Sequence, residues 1–466
     1  MFPSKPASAP RSSRRTFIKQ TALAGALIHF PAVLRAARPN SRVNVAVVGV
    51  NGQGYSDLHN VSSHAQATFV GFCDVDKNRF ERADALVAGI PHFQDFRVML
   101  DKLGDKVDAV MVAIPDHMHA SVAIEAMKRG KHIYCQKPLA QTVWESRQMR
   151  LWSEKQGVVT QMGNHIHSAV EYRLGTRLIR EGAIGKVKEV YSWVAVTGNE
   201  RTRLLEPPAP GPVPVGLDWD LWIGGAPMRP YAPVVYHPFA WRDWQDFGGG
   251  AIGDFGCHIL DPVFTALGIR APLTVGADNT GINRHLWPTS ESVKYVFPGN
   301  ELTAGPTIKV TWTDGGLRPD RALARMPANM DLPRSGSLFI GEKGNMVLPH
   351  VGGPRLYPIE NFTGFTYPKD IKGLNHYHRW LDAIINGTKT SDGFDYAGWL
   401  SEAAQLGNVA TRLPLRPIKP TGRLMVDPPE IAVLEWDAAA LRFKNSPEAN
   451  ALLTRAYRPG WAVPPA

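Results

Sequence analysis

The sequence predicts an α/β protein, with a doubly wound parallel sheet in the first third of the chain and then a second, mainly antiparallel domain with flanking helices. Three observations carry this expectation. Apolar strand patterns and helical patterns alternate as far as about residue 165, a glycine turn joins the first strand to the helix after it, and later strands are separated by turns. A length of 466 residues with 44% hydrophobic content supports a large core and two domains.

In chain order, Ser13-Arg14-Arg15-Thr16-Phe17-Ile18-Lys19 precedes an apolar stretch, 21–30, and Pro31. This reads as a twin-arginine export signal; the other reading is an ordinary basic amphipathic leader. The apolar run is too short to span a bilayer, so no stable membrane anchor is expected from it. Ala36-Ala37 is the best cleavage candidate, giving a leader over 1–38 and a periplasmic location. Residues 1–38 hold Lys5, Arg11, Arg14, Arg15, Lys19, Arg35 and Arg38 and no acid, so the net charge of +10 falls to +3 without them. The remaining charge forms no stripe for nucleic acid. Cys73, Cys135 and Cys257 are odd in number and widely spaced, which argues against a disulfide framework or a zinc knuckle.

The run 43–48 is a buried strand that ends in Gly49-Val50-Asn51-Gly52-Gln53-Gly54. Backbone amides at such a turn can approach a pyrophosphate at the start of the following helix. Cys73-Asp74 follows at the tip of the second strand, where a carboxylate can hold a ribose diol. The spacing is G-x-x-G-x-G where G-x-G-x-x-G is usual, so a dinucleotide site and a plain tight turn both fit. Strands are predicted over 108–114, 131–135 and 158–162, with helices over 117–128 and 142–155. The tips of these strands bring Asp74, Pro115-Asp116-His117, Gln136-Lys137-Pro138 and Gly163-Asn164-His165 to one crevice. Beyond 165, a helix is expected over 168–181 and a strand over 186–196, then a loop or extended arm over 206–215, which holds five prolines. Strands at 292–297, 308–312 and 337–340 and helices at 375–385 and 395–411 follow. The stretch from Pro428 to Ala466 is expected to pack along the surface. The domains expected are 39–165, 166–427 and the tail 428–466.

Four segments carry a resemblance to a known family. Val48-Gly49 with Gly52 and Gly54, Ile114-Pro115-Asp116-His117-Met118-His119-Ala120, Tyr134-Cys135-Gln136-Lys137-Pro138-Leu139 and Gly253-Asp254-Phe255-Gly256-Cys257-His258-Ile259-Leu260-Asp261 resemble the glucose-fructose oxidoreductase/inositol dehydrogenase (Gfo/Idh/MocA) family. Asp218-Trp219-Asp220-Leu221-Trp222 and Tyr236-His237-Pro238-Phe239 further resemble its exported subgroup. The resemblance implies a Rossmann domain joined to an open-sheet domain, a nicotinamide cofactor, oxidation or reduction of a sugar or cyclitol hydroxyl, and pairing with another copy through the open sheet.

The resemblance also implies roles. Lys137 stands where the family's Glu-Lys-Pro lysine lies beside nicotinamide and the reacting oxygen, and an ammonium there would stabilise alkoxide charge; alone, it could equally cap a strand end. Gln136 departs from the usual glutamate. His258 takes the place of the acid/base histidine and Asp254 that of its assisting aspartate, orienting substrate or the imidazole. Taken alone, His258 is also readable as a core histidine, or with Asp261 as a His-x-x-Asp metal pair; no metal is assigned. Cofactor contacts are expected from Gly49, Asn51, Gly52, Gln53, Gly54, Asp74, Pro115, Asp116, His119, Gln136, Lys137 and Asn164. His119 is alternatively a solvent-exposed residue of a helix start. Substrate contacts are expected from Lys137, His165, Tyr236, Trp241, Asp254 and His258, with the aromatics either stacking on a pyranose or lying in the core. Asp74 favours NAD over NADP, although Lys77 and Arg79 stand near enough in sequence to accommodate a phosphate.

Export implies that the coenzyme stays tightly bound and is recycled in place. The leading expectation is an exported oxidoreductase passing hydride between a sugar or glycoside hydroxyl, at C3, and the bound nicotinamide. A redox-neutral glycosidase or lyase acting by transient oxidation is the second, and a non-catalytic carbohydrate-binding protein retaining the dinucleotide is the third.

Overall fold

The computed structural model describes residues 42–415 and 431–466. The leader, its Ala36-Ala37 cleavage candidate and the start of the tail at Pro428 lie outside the described residues.

The first sheet has six parallel strands, β1 (Val43–Val48), β2 (Ala67–Cys73), β3 (His92–Phe93), β4 (Ala109–Val112), β5 (His132–Gln136) and β6 (Thr160–Gly163), in the order β3-β2-β1-β4-β5-β6. Alternation along β1 shows why both faces are covered. Val43, Val45 and Val47 pack with Leu58 and Val61 of α1 (Gln53–Ser62), whereas Ala46 and Val48 pack with the opposite layer. That layer comprises α3 (Phe96–Leu103), α4 (Asp116–Lys128) and α5 (Val143–Gln156); α2 (Glu81–Leu86) lies between β2 and β3 in sequence. Helix α5 starts where the sequence says it must. Thr142 accepts from the Glu145 N–H at 3.1 Å while the Glu145 carboxylate accepts from the Thr142 N–H, which closes a capping box.

The second sheet is mixed but mainly antiparallel. It holds β7 (Val187–Trp193), β8 (Thr274–Asn279), β9 (Glu291–Pro298), β10 (Thr307–Thr313), β11 (Gly336–Gly341), β12 (Asn345–Pro349), β13 (Arg355–Tyr357), β14 (Leu434–Asp437) and β15 (Arg442–Phe443), in the order β13-β12-β11-β7-β10-β9-β8-β14-β15. Among the described strands of this sheet, only the neighbours β7 and β10 pair in parallel. One face packs on α6 (Val170–Arg180) and, further along the chain, on helices that carry site residues. At one end of the other face, Trp193 packs with Ala324, Met326 and Leu332 of the 314–335 connection, while Lys294 and Lys309 stay exposed.

Between β7 and β8 the chain makes a long excursion. Short α7 (Trp219–Ile223) contributes to a separate aromatic core of Trp222, Tyr236, Trp241, Trp244 and Phe247. The excursion meets the tip of β2, where Asp218 N–H donates to the Val75 carbonyl at 2.8 Å and Lys77 N–H to that of Gly216 at 3.0 Å. It ends in α8 (Gly250–Ile259) and α9 (Asp261–Leu267), followed later by α10 (His376–Asn386) and α11 (Phe394–Thr411). Trp380 and Leu381 of α10 return to the β1 side of the parallel sheet. After β15, α12 (Pro447–Ala451) leads the last residues back over the first sheet, where Trp152 Nε1 donates to the Pro464 carbonyl at 3.1 Å. Among the described residues no helix is long and apolar enough to cross a membrane.

Candidate active site

The glycine turn is built by three different demands. Gly49 has φ +87°, and a Cβ there would lie 2.2 Å from the Ala113 carbonyl oxygen. A Cβ on Gly54 would lie 2.0 Å from the Gly49 oxygen, so this residue lets α1 approach β1. Gly52 has φ +56° and open space where a Cβ would go. Helix α1 has no side-chain cap, so the positive end of the helix is open to an anion, while the N–H groups of Gly52 and Gly54 donate to Asn51 Oδ1 at 2.6 Å and to the Asn51 carbonyl at 3.0 Å. Asp74 closes the other side, its carboxylate accepting from the N–H groups of Val50 at 3.2 Å and Asp76 at 3.0 Å. Burial pushes its pKa up to about 6.

These groups line a cavity of about 420 Å3 that continues to Lys137. Gly49, Asn51, Gly52, Gln53, Asp74, Pro115, Asp116, His119, Gln136 and Lys137 all border it, and Trp222, His237 and Trp461 close it from elsewhere in the chain. An uncapped helix start, an unobstructed glycine and a carboxylate at the β2 tip fit a dinucleotide. Gly54 shapes the turn without lining the space. Of the two basic residues near Asp74, Arg79 is engaged by Asp76 at 2.9 Å and Lys77 does not border the cavity.

Asn164 and Tyr236 lie away from the cavity, while His119 and Gln136 border it with their polar atoms engaged elsewhere. Asn164 is fully buried and holds His258. Its Nδ2 donates to the Cys257 carbonyl at 2.7 Å, which turns Oδ1 to accept from His258 Nδ1 at 2.5 Å. Tyr236 is only 2% exposed, with Trp219, Trp244 and Phe247 packed around its ring, so no face is left for a pyranose. His119 is buried as well, its ring nitrogens 2.8 Å from the Pro138 and 2.7 Å from the Ile114 carbonyl oxygens, so it ties two strand tips together and is not a solvent-exposed helix residue. Gln136 borders the cavity, but its Nε2 donates to Asp57 Oδ2 at 2.7 Å. Gln53 donates to the other oxygen at 2.8 Å, and burial raises Asp57 to about 6. The negative charge at this place thus sits on α1, and an amide on β5 suits it where a second carboxylate would be repelled.

Lys137 and Asp254 meet. The ammonium donates to Asp254 Oδ1 at 2.6 Å and to its backbone oxygen at 2.8 Å. Arg201 reaches Oδ2 at 2.6 Å, and Arg242 Nε stands 3.6 Å from Oδ1. Burial opposes ionisation, yet Lys137, Arg242 and Arg201 together hold the carboxyl well below the usual carboxylate range. Asp254, expected to orient substrate or the imidazole, is thus bound to the lysine, and no hydrogen bond joins it to the imidazole among the described residues. Asn164 takes that second part, leaving Nε2 of His258 as the lone-pair nitrogen. Burial, with Lys137 and His350 nearby, keeps this ring uncharged, its pKa far below the ordinary histidine value. Exposed His165 stands 6.4 Å from it, ring centre to ring centre, and His350 5.6 Å. Asp261 faces elsewhere, accepting from His167 at 2.9 Å and Tyr396 at 2.8 Å, so no His258–Asp261 pair forms.

Burial pushes Asp116 up to about 7 against the pull of Arg242 and Lys137. Trp241 borders the cavity with the Arg242 guanidinium 4.1 Å from its ring centre. Sequence reading quoted Phe239 within a motif but gave it no role at the site, and it missed Arg201, Arg242 and Trp461. Each is a single residue in an irregular stretch, with no periodicity or spacing to mark it.

Comparisons with known proteins agree with this architecture. A model described as "Oxidoreductase family, NAD-binding Rossmann fold" matches residues 43–164, and one described as "Oxidoreductase family, C-terminal alpha/beta domain" matches residues 191–297. Levoglucosan dehydrogenase of Pseudarthrobacter phenanthrenivorans is 27% identical over 168 residues, 36% of this chain and 34% of that protein. A glycosyl hydrolase family 109 protein of Shewanella sp. is 27% identical over 154 residues, 31% of this chain and 33% of that one. The chain thus spans about a third of the length of these curated relatives. The WlbA dehydrogenase of Bordetella pertussis, solved with NADH and UDP-GlcNAcA, shares the fold with a TM-score of 0.56 and 16% identity, over 81% of this chain and 99% of that one. With an NAD-binding Rossmann domain followed by the matching C-terminal domain, and Lys137 at the seam between them, the chain belongs to the Gfo/Idh/MocA oxidoreductase family.

Proposed function

We propose that this protein is an exported oxidoreductase that keeps NAD tightly bound and acts on a secondary hydroxyl of a sugar or glycoside, with C3 as the carbon attacked. The observation that carries the reading is the Lys137–Asp254 pair at the end of the dinucleotide cradle, beside a histidine whose Nδ1 is engaged. When bound, the nicotinamide supplies the hydride acceptor or donor. His258 Nε2 takes the hydroxyl proton, and the Lys137 ammonium, held in place by Asp254, stabilises charge on the oxygen. His165, exposed and 6.4 Å from the His258 ring centre, would contact the sugar. Export would draw on the basic leader, and a second copy would pair on the outer face of the nine-stranded sheet.

Mixed glycosides incubated with the mature protein and an electron acceptor test this directly. A product lighter by two hydrogens, with fragments placing the ketone at C3, is expected; recovery of every glycoside unchanged would refute the reading. Similarity to the family 109 glycosyl hydrolase favours one other outcome, redox-neutral cleavage through transient oxidation. That reaction would release an aglycone with no external acceptor present.

A further inference from the structure

The charges around Lys137 do not balance. Lys137, Arg201 and Arg242 converge on Asp254, and among the described residues the one other carboxylate bound to any of them is Asp243. Asp243 is fully buried and already receives Arg201 Nη1 at 3.3 Å with the N–H groups of Arg201 at 3.0 Å and Thr202 at 2.7 Å. Asp116, raised to about 7, offsets only part of the excess, and His165, His258 and His350 are held below the ordinary histidine value by burial.

Arg242 is the least satisfied of the three cations. Its hydrogen bond among the described residues runs from Nη1 to the Phe239 carbonyl at 3.2 Å, and its Nε is too far from Asp254 for a hydrogen bond. It borders the cavity and keeps 20% of its side chain exposed. Phe239 lies at the same mouth with 59% exposure, and its ring has the Arg242 guanidinium 4.8 Å and the Arg201 guanidinium 5.4 Å from its centre. A bare aromatic ring flanked by guanidinium groups offers an apolar platform and a planar fork for a carboxylate side by side. The dinucleotide's own phosphates have another place, at the uncapped start of α1. Arg242 instead shares Asp254 with Lys137, at the tip of β5, two strands away from β1.

Resting on the oxidoreductase reading of this site, we propose that the substrate is an acidic pyranoside, a hexuronic acid or its glycoside, whose carboxylate binds Arg242 while Phe239 supports the ring. The test uses the NAD-loaded protein, with methyl glucuronide and methyl glucoside as matched probes, titrated by calorimetry at low and high salt. Glucuronide binds on the order of tenfold more tightly at low salt, salt narrows the gap, and Arg242→Gln removes it by weakening glucuronide more than glucoside. Arg242→Lys restores part of the preference. Equal affinities, binding of neither probe, or an equal loss for both in Arg242→Gln overturns the proposal. Glucuronide preference with no product lighter by two hydrogens would instead refute hydride transfer and leave the acidic ligand standing.

Discussion

Removing the Lys137 ammonium leaves Asp254 with Arg201 and Arg242 as partners, so the carboxylate is not stranded and the fold should hold. Lys137→Ala is therefore expected to retain bound NAD, read by absorbance after denaturation, while turnover falls by about 100-fold to 10,000-fold; retained turnover would make the lysine structural. A second substitution separates the roles of Asn164 and His258. In the wild type, burial and Lys137 place the imidazole far below its usual value, so it is an unprotonated base throughout the neutral range, and any acid limb in kcat/KM for oxidation lies below about pH 6.5. In Asn164→Asp a carboxylate faces Nδ1, favours the imidazolium and moves that limb to higher pH. A limb that stays put would show that this contact does not tune the base. Lys137, Asp254 and His258 were legible because a short motif names each of them. The partner assignments were not, because which carboxylate meets which cation depends on how α8 is set against β5, a tertiary fact that no local spacing contains.

Elements were read more completely than contacts. Strands with period-two burial and helices with capping signals appear close to their expected bounds, as α5 shows with Thr142 and Glu145. The two-residue strand His92–Phe93 left no pattern long enough to detect, and in the 194–249 excursion only the 206–215 loop or arm is legible, although the excursion builds an aromatic core. Glycines mark where element packing serves the site. A methyl on Gly54 meets the Gly49 oxygen and forces β1 and α1 apart, so Gly54→Ala should cost about 1–3 kcal/mol and strip NAD from the purified protein. Thr142→Ala provides the contrast at the start of α5, costing about 1 kcal/mol in urea unfolding with NAD content unchanged. Equal NAD loss in both would trace it to general destabilisation.

Across the whole molecule, the nucleotide cradle and its cover come from opposite ends of the sequence. Trp461, 7% exposed, borders the cavity whose floor begins at Gly49, and Arg97 stacks on its ring at 4.3 Å. The segment before it is held down through Arg455 and Tyr457, which share Glu145 at 2.8 Å each, and through Arg458, which pairs with Asp220 beside Trp222. A dinucleotide beneath such a cover leaves only when the cover lifts, so the tail should govern the rate of loss more than the strength of the cradle contacts. The Arg458–Asp220 pair is partly exposed and contributes little alone, whereas Trp461 supplies buried apolar area. Trp461→Ala is accordingly expected to shorten NAD retention during dialysis by roughly tenfold or more, and Arg458→Ala to shorten it only slightly. Re-addition of saturating NAD should return Trp461→Ala to activity, because the groups that hold Lys137, Asp254 and His258 among the described residues, Arg201, Arg242 and Asn164, lie outside the tail. Undiminished retention in Trp461→Ala would assign tight binding to the glycine turn and Asp74 alone.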